Sequence, residues 1–103
     1  MNNVVRIRVT QAASEAEAEK AFFDIFHLMC EKEIPIVGFI IENQIGYMVG
    51  ELTIFKNVFA NSNIILEKFD FEQYIKTAGK NTVFWIAQLD LENPMKSTLV
   101  KYK

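Results

Sequence analysis

The sequence predicts an α+β fold: a mostly antiparallel sheet with two helices on one face, in the ferredoxin-like order β-α-β-β-α-β with an extra C-terminal edge strand. Three observations predict this fold. The N-terminal residues alternate between apolar and polar, a long helical pattern follows them, and short β-branched runs separated by turn residues fill most of the remainder. With 103 residues, 50% of them hydrophobic, the chain is expected to form one domain over residues 1–103.

The first strand and the longest helix are predicted in the N-terminal third. Residues 5–10 alternate strictly between apolar and polar side chains, which is the period of a strand with one buried face. Ser14 and Glu17 have the spacing of a capping box, which predicts the start of a helix. Because Pro35 cannot continue a helix, this helix is expected to span residues 14–32.

The middle of the chain resembles a β-hairpin. Residues 36–41 form an apolar, β-branched run, and Asn43 and Gln44 fit a tight turn. A second long strand is expected over residues 45–55. Residues 57–69 fit either a short strand or the beginning of a helix, and the sequence leaves that choice open.

The C-terminal third is predicted to contain a short helix and two strands. A capping pattern at Asp70 predicts a helix over residues 71–78, and Gly79 is suited to end it. A strand centred on tryptophan is expected over residues 82–91, and a final edge strand over residues 98–102.

Composition argues against several classes of protein. Eleven Lys and Arg residues against thirteen Asp and Glu residues give a net charge of -2, and the basic residues are scattered, so nucleic acid is not an expected partner. No uncharged apolar stretch approaches the ~18 residues that span a bilayer, so no membrane association is expected. Cys30 is the single cysteine, and a free thiol fits a reducing compartment, which predicts a cytoplasmic location.

The sequence contains no recognisable catalytic or cofactor-binding motif. Its four glycines form no phosphate-binding loop. The one group of possible metal ligands is His27 with Asp24, Cys30 and Glu31 on the long helix, and their spacing gives zinc no convergent set of three or four ligands. We therefore expect no metal, no cofactor and no catalytic residue, and an enzymatic role is disfavoured.

One face of the sheet is predicted to be an interaction surface. In a ferredoxin-like order, the first strand lies between the strands that carry Tyr47 and Trp85, so the residues that point away from the helices share one open face. We name these residues the predicted face: Arg6, Arg8, Tyr47, Val49, Glu51, Phe84, Ile86 and Gln88. A contiguous surface that is part apolar and part charged is typical of a binding site. The alternative is that residues 57–69 or the last strand fold over this face.

Two hypotheses for the function follow. The first is a small non-enzymatic protein-interaction domain, of the inhibitor, immunity or adaptor kind, that binds another protein or a second copy of itself. It rests on the surplus of apolar side chains, because the long helix is apolar over most of its circumference and needs more cover than one sheet provides. The alternative is a dimeric ferredoxin-like small-ligand-binding protein or enzyme, in which His27 or Glu51 is the polar group of an apolar cavity.

Overall fold

The computed structural model describes residues 3–60, 63–77 and 82–102. These residues form an α+β fold around an antiparallel sheet of six strands, which confirms the predicted fold class. The elements in chain order are β1 (Val4–Gln11), α1 (Glu15–Glu31), β2 (Gly38–Glu42), β3 (Ile45–Glu51), α2 (Leu52–Val58), β4 (Glu67–Lys68), α3 (Phe71–Thr77), β5 (Val83–Gln88), a 3-10 helix (Pro94–Lys96) and β6 (Thr98–Lys101).

The strand order is β4-β1-β3-β2-β5-β6, and every pair of neighbours is antiparallel. The expected ferredoxin-like order is not confirmed, because β5, which carries Trp85, pairs with β2 and not with β1. The edge of β1 where that strand was expected is occupied by β4, with Val5 opposite Lys68 and the Phe69 amide donating to the Val4 carbonyl at 3.0 Å. Hydrophobic periodicity determines which face a residue takes, but it does not determine which strand lies alongside.

Helix α1 begins as the sequence predicts. The Ser14 hydroxyl accepts a hydrogen bond from the Glu17 amide at 3.2 Å, and the Glu17 carboxylate accepts one from the Ala13 amide at 3.2 Å. These two bonds satisfy amides that have no partner inside the helix. The capping side chain of Ser14 therefore sets the start of the helix, and Glu15 is its first residue.

The helix ends one residue before the predicted limit. The Glu33 amide donates to the Cys30 carbonyl at 3.0 Å, and the Ile34 amide donates to the Met29 carbonyl at 2.9 Å. Glu33 has a φ of 57°, so this is a Schellman motif in which glutamate occupies the left-handed position that glycine usually takes. The backbone turns sharply here and leads into β2.

Helix α2 replaces the end of the predicted second strand. The strand ends at Glu51, and residues 52–58 are helical, so the prediction of a strand to residue 55 is wrong. The fold gains the burial of Phe55, which is 0% exposed and lies against Gly50, where a Cβ atom would overlap its ring. The segment left open by the sequence, residues 57–69, contains the last residues of α2 and the strand β4.

Helices α1 and α2 cover one face of the sheet. Val5 and Ile7, Met48, and Trp85 point toward this face, as the sequence predicts. Gly46 lies against the ring of Phe22, and the absence of a side chain at this position lets α1 approach the sheet closely. The buried members of this core are Val5, Ile7, Ala12, Ala18, Phe22, Phe26, Met29, Cys30, Ile36, Phe39, Ile41, Met48, Phe55 and Leu99.

Helix α3, the second helix predicted from the sequence, lies on the opposite face. Its Tyr74 ring contacts Phe69 and Phe84, at centroid distances of 5.0 and 6.1 Å, and belongs to the cluster around Ile40 and Val49. Two helices do share a face, but they are α1 and α2, and the prediction that residues 71–78 form one of that pair is wrong. Residue 78 and the predicted cap Gly79 lie outside the described residues.

Candidate interaction surfaces

The structure divides the predicted face into a covered half and an exposed half. The residues of this face do lie on the side of the sheet away from α1, since Tyr47, Val49, Phe84 and Ile86 belong to one cluster. Val49 and Phe84 are 0% and 2% exposed, so their assignment to a partner-binding surface is corrected: they are core residues. The cover includes Phe69, the last residue of the segment 57–69 that the alternative interpretation allowed to fold over this face, and Tyr74 of α3, which that interpretation did not include.

Arg6 is held by contacts within the chain. Its guanidinium carbon lies 4.3 Å from the ring centroid of Tyr47 and 5.4 Å from that of Phe69. Its nitrogens lie 3.3 Å from a carboxylate oxygen of Glu67 and 3.6 Å from one of Glu42. The Arg6 side chain is 16% exposed and already faces two aromatic rings and two carboxylates, so it links β4, β1, β2 and β3.

The same contacts affect the protonation of Arg6. Desolvation on its own lowers the pKa of the guanidinium, but the hydrogen bond and charge of Glu67 raise it, with smaller contributions from Tyr47 and Glu42. The net effect is a pKa of Arg6 above its ordinary value. Arg6 therefore stays charged and serves as a cross-strand connector.

Tyr74 carries a buried hydroxyl in the cover. Its oxygen has no hydrogen-bond partner of good geometry among the described residues. Desolvation, assisted by the negative charge of Glu42, raises the pKa of Tyr74 to about 12, and the nearby Thr82 hydroxyl and Arg6 offset part of that rise. The phenol is neutral at physiological pH and contributes packing against Phe84.

The exposed half of this face is formed by strands β5 and β6. Val100 lies opposite Ile86, and Thr98 lies opposite Gln88. We name these residues, with Tyr102, the outer strip: Ile86, Gln88, Thr98, Val100 and Tyr102. Val100 is 43% exposed and Tyr102 is 55% exposed.

The predicted face did not include the part of this strip that lies on β6. The signal was present, because Thr98, Val100 and Tyr102 are spaced by two along the last predicted strand and must share a face. Of the predicted face, Ile86 and Gln88 lie in the strip. Arg8 and Glu51, on β1 and β3, are exposed although Phe69 and Tyr74 cover other residues of that half, and Arg8 donates a hydrogen bond to the Gln11 side chain at 2.7 Å.

Strand β6 also presents backbone groups at an edge of the sheet. The Tyr102 amide donates to the Phe84 carbonyl at 2.7 Å, and inward and outward residues alternate along an antiparallel strand. The amides and carbonyls of Leu99 and Lys101 therefore point away from β5. Among the described residues no strand pairs with this edge. The Lys101 ammonium lies on the α1 side, 2.9 Å from Glu15 and 3.6 Å from Glu19.

Two cavities lie outside the sheet face. One, of about 580 Å³, opens beside the start of α1 and is lined by residues such as Ser14, Glu15 and Gln44. The other, of about 210 Å³, lies at the end of α1 beside Cys30 and Leu91. His27 and Glu51, the polar groups expected in a ligand cavity, are exposed and line neither of them.

The described residues contain no group of three or more side chains placed to hold a metal ion. No helix within those ranges is both long enough and apolar enough to cross a bilayer. The comparisons with known proteins add no further assignment: no family model, no curated protein and no solved structure matches this chain.

Proposed function

We propose that the protein is a non-enzymatic protein-interaction domain, of the inhibitor, immunity or adaptor kind, that binds an extended segment of another protein along the edge of β6. The observation that carries this proposal is the coincidence of outward backbone groups at Leu99 and Lys101 with the exposed side chains of Val100 and Tyr102. In strand addition, backbone hydrogen bonds supply affinity and alternate side chains supply specificity.

The two edges of the sheet differ in what they offer a partner. Strand β4 has only two residues, whereas β6 has four. The face beside β4 is covered by Phe69 and Tyr74, whereas the outer strip beside β6 is open. An incoming strand at β6 therefore gains both backbone pairing and apolar contacts.

The Lys101 side chain does not block the edge of β6. Its side chain is turned to the α1 face by the pairs with Glu15 and Glu19, so the ammonium does not lie over the outer strip. Lysine on an edge strand often discourages nonspecific pairing. Here a partner meets a neutralised lysine on one side and Tyr102 on the other, and the bound domain acts by occlusion or by scaffolding.

The test compares substitutions at one residue of the edge. Lys101→Pro removes the outward amide and leaves the amides that pair with β5, whereas Lys101→Ala removes only the side chain. Immobilised wild-type and variant proteins are exposed to a lysate of the native host. Each protein that the wild type retains is then purified, and its dissociation constant is measured by calorimetry.

The proposal expects a partner that binds the Lys101→Ala variant within about threefold of wild type and the Lys101→Pro variant at least tenfold more weakly. Tyr102→Ala should weaken the same partner about tenfold or more, because exposed aromatic residues dominate such interfaces. Ile65→Ser is the control, since Ile65 is 85% exposed and lies just before β4, at the opposite edge of the sheet from β6. If no retained protein distinguishes Lys101→Pro from Lys101→Ala, the proposal is wrong.

A further inference from the structure

The smaller cavity lies at the C-terminal end of α1, where the helix meets the connection between β5 and β6. Its volume is about 210 Å³. Apolar side chains form most of its wall, among them Ile34, Pro35, Leu89 and Leu91. Leu91 is 88% exposed and Leu89 is 38% exposed, so the rim presents apolar surface to the solvent.

The walls of this cavity are fixed by hydrogen bonds on both sides. On the helix side, the Schellman motif orients Glu33 and Ile34. On the other side, one carboxylate oxygen of Asp90 accepts hydrogen bonds from the amides of Glu92 and Asn93, at 3.0 and 2.9 Å. The Asp90 amide donates to the Ser97 hydroxyl at 2.9 Å. The cavity is therefore formed before anything binds, which lowers the entropy cost of binding.

The charge at this end of the molecule is negative. The two charged side chains that line the cavity, Glu33 and Asp90, are both carboxylates. The last turn of α1 contains no basic residue, so the negative end of the helix dipole is not compensated there, and Glu31 adds a further negative charge. Lys32 and Lys96 are exposed and do not line the cavity.

The volume distinguishes between two kinds of ligand. Sites for small molecules usually measure ~300–1,000 Å³, and this cavity is below that range. Its size suits one large apolar side chain, which is how a peptide is anchored. We propose that the cavity binds a segment of another polypeptide in which one large apolar side chain enters the cavity and a neighbouring lysine or arginine pairs with Glu33 or Asp90.

This site is separate from the edge of β6. The outer strip lies on the face away from α1, whereas the cavity is at the end of α1. The inference therefore goes beyond the proposed strand addition, and the two proposals can fail independently.

Cys30 makes the test direct, because it lines the cavity and is the only cysteine of the chain. Three capped tripeptides serve as probes: phenylalanine-lysine-cysteine, phenylalanine-glutamate-cysteine and alanine-lysine-cysteine. Each is supplied as a disulfide with a small thiol, which is released when the peptide cysteine exchanges onto the Cys30 sulfur. The yield of each mixed disulfide is measured by mass spectrometry at fixed reductant concentration with the full chain.

The proposal expects the phenylalanine-lysine peptide to give the highest yield at Cys30, about fivefold above each of the other two. In Glu33→Gln, the preference for lysine over glutamate should fall about twofold while the circular dichroism spectrum is unchanged. The control combines Cys30→Ser with Ile65→Cys, where the three peptides should react alike. The proposal is wrong if the three peptides give equal yields at Cys30, or if the control variant ranks them in the same order. It is also wrong if Cys30 does not react under conditions in which the control cysteine does.

Discussion

Glu33 occupies the left-handed backbone position that ends α1, with a φ of 57°. A residue with a Cβ atom is strained there by ~1 kcal/mol or more, whereas glycine is not. We expect Glu33→Gly to raise the free energy of unfolding by about 0.5–1 kcal/mol, because the relief of strain exceeds the loss of unfolded-state restriction. Urea unfolding measures this change.

A matched control for this substitution is Glu31→Gly, which removes the same charge two residues earlier, inside the helix. It should lower the free energy of unfolding by about 0.5–1 kcal/mol, because glycine is unfavourable within a helix. If both substitutions change the free energy of unfolding in the same direction, backbone strain at Glu33 does not destabilise the protein as proposed.

Tyr74 gives a prediction for the pH dependence of stability. Its pKa in the folded protein is about 12, against an ordinary value of 10.0. Between these values the unfolded chain loses the phenol proton and the folded chain keeps it, so the unfolded state is favoured. The free energy of unfolding should therefore fall as pH rises from about 10 to about 12, and Tyr74→Phe should remove this part of the fall.

At neutral pH, Tyr74→Phe should leave stability unchanged or raise it by up to about 1 kcal/mol, because the deleted hydroxyl is buried without a good partner. Tyr102→Phe is the control, since it deletes a phenol that is 55% exposed. Urea titrations at pH 7 and at intervals from pH 9.5 to 12 give the comparison. A fall of equal size in Tyr74→Phe and wild type would contradict the assignment.

For individual residues, the sequence predicted which face of the sheet a side chain points to better than it predicted whether that side chain is exposed to solvent. The alternation along the strands placed Val49 and Phe84 on the face opposite α1, and they are there. It could not indicate that Phe69 and Tyr74 cover them, because the periodicity of a strand is a local pattern and does not report contacts with a distant segment of the chain. Two residues of the predicted site were therefore core residues, while Val100 and Tyr102 were overlooked.

At the scale of elements, Gly38 fixes the distance between β2 and β5. A Cβ atom at this position would overlap the carbonyl oxygen of Trp85, which is a backbone atom held in the sheet. We expect Gly38→Ala to lower the free energy of unfolding by about 3 kcal/mol or more, since the strands must separate. A variant as stable as wild type in urea would contradict this pairing.

Gly46→Ala is the comparison for that substitution. Its Cβ would lie 2.6 Å from Thr10 Cγ2 and 2.7 Å from Phe22 Cε1, which are side-chain atoms that can move. The expected loss is about 1–2 kcal/mol, less than that at Gly38. A larger loss of stability at Gly38 than at Gly46 would show that a clash with a backbone atom costs more than a clash with side-chain atoms that can move.

Elements with strong local signals were predicted well, and α2 was not. The Ser14 cap and the alternation of residues 5–10 fixed α1 and β1. Residues 52–55 contain Thr and Ile and follow a strand, so they read as its continuation, and no side chain caps the start of α2. The burial of Phe55 favours the helix, and that is a tertiary contact which local propensity does not contain.

At the scale of the whole molecule, the surplus of apolar side chains is largely covered from within. Helix α1 gains cover from the segment around the 3-10 helix, α2 packs against β3 on the same side of the sheet, and the far face gains cover from α3. The sequence predicted that other segments must bury these apolar side chains. It could not determine which segments do so, because the strand order that brings them together depends on contacts between distant parts of the chain.

This arrangement predicts the state of the protein in solution. Tyr74 and Phe69 lie over half of the face on which two sheets would meet in a face-to-face dimer, so that half is not free for such a dimer. A more specific route to self-association is pairing between two β6 edges. We expect light scattering from 10 to 500 µM to give the mass of one chain, 11.9 kDa, since the edge is proposed to bind a different protein. A stable dimer that Lys101→Pro dissociates and Lys101→Ala does not would show that a second copy occupies the edge. A dimer unaffected by both variants would contradict the expected monomer and would show that self-association uses a surface other than the β6 edge, such as the exposed apolar rim at Leu91.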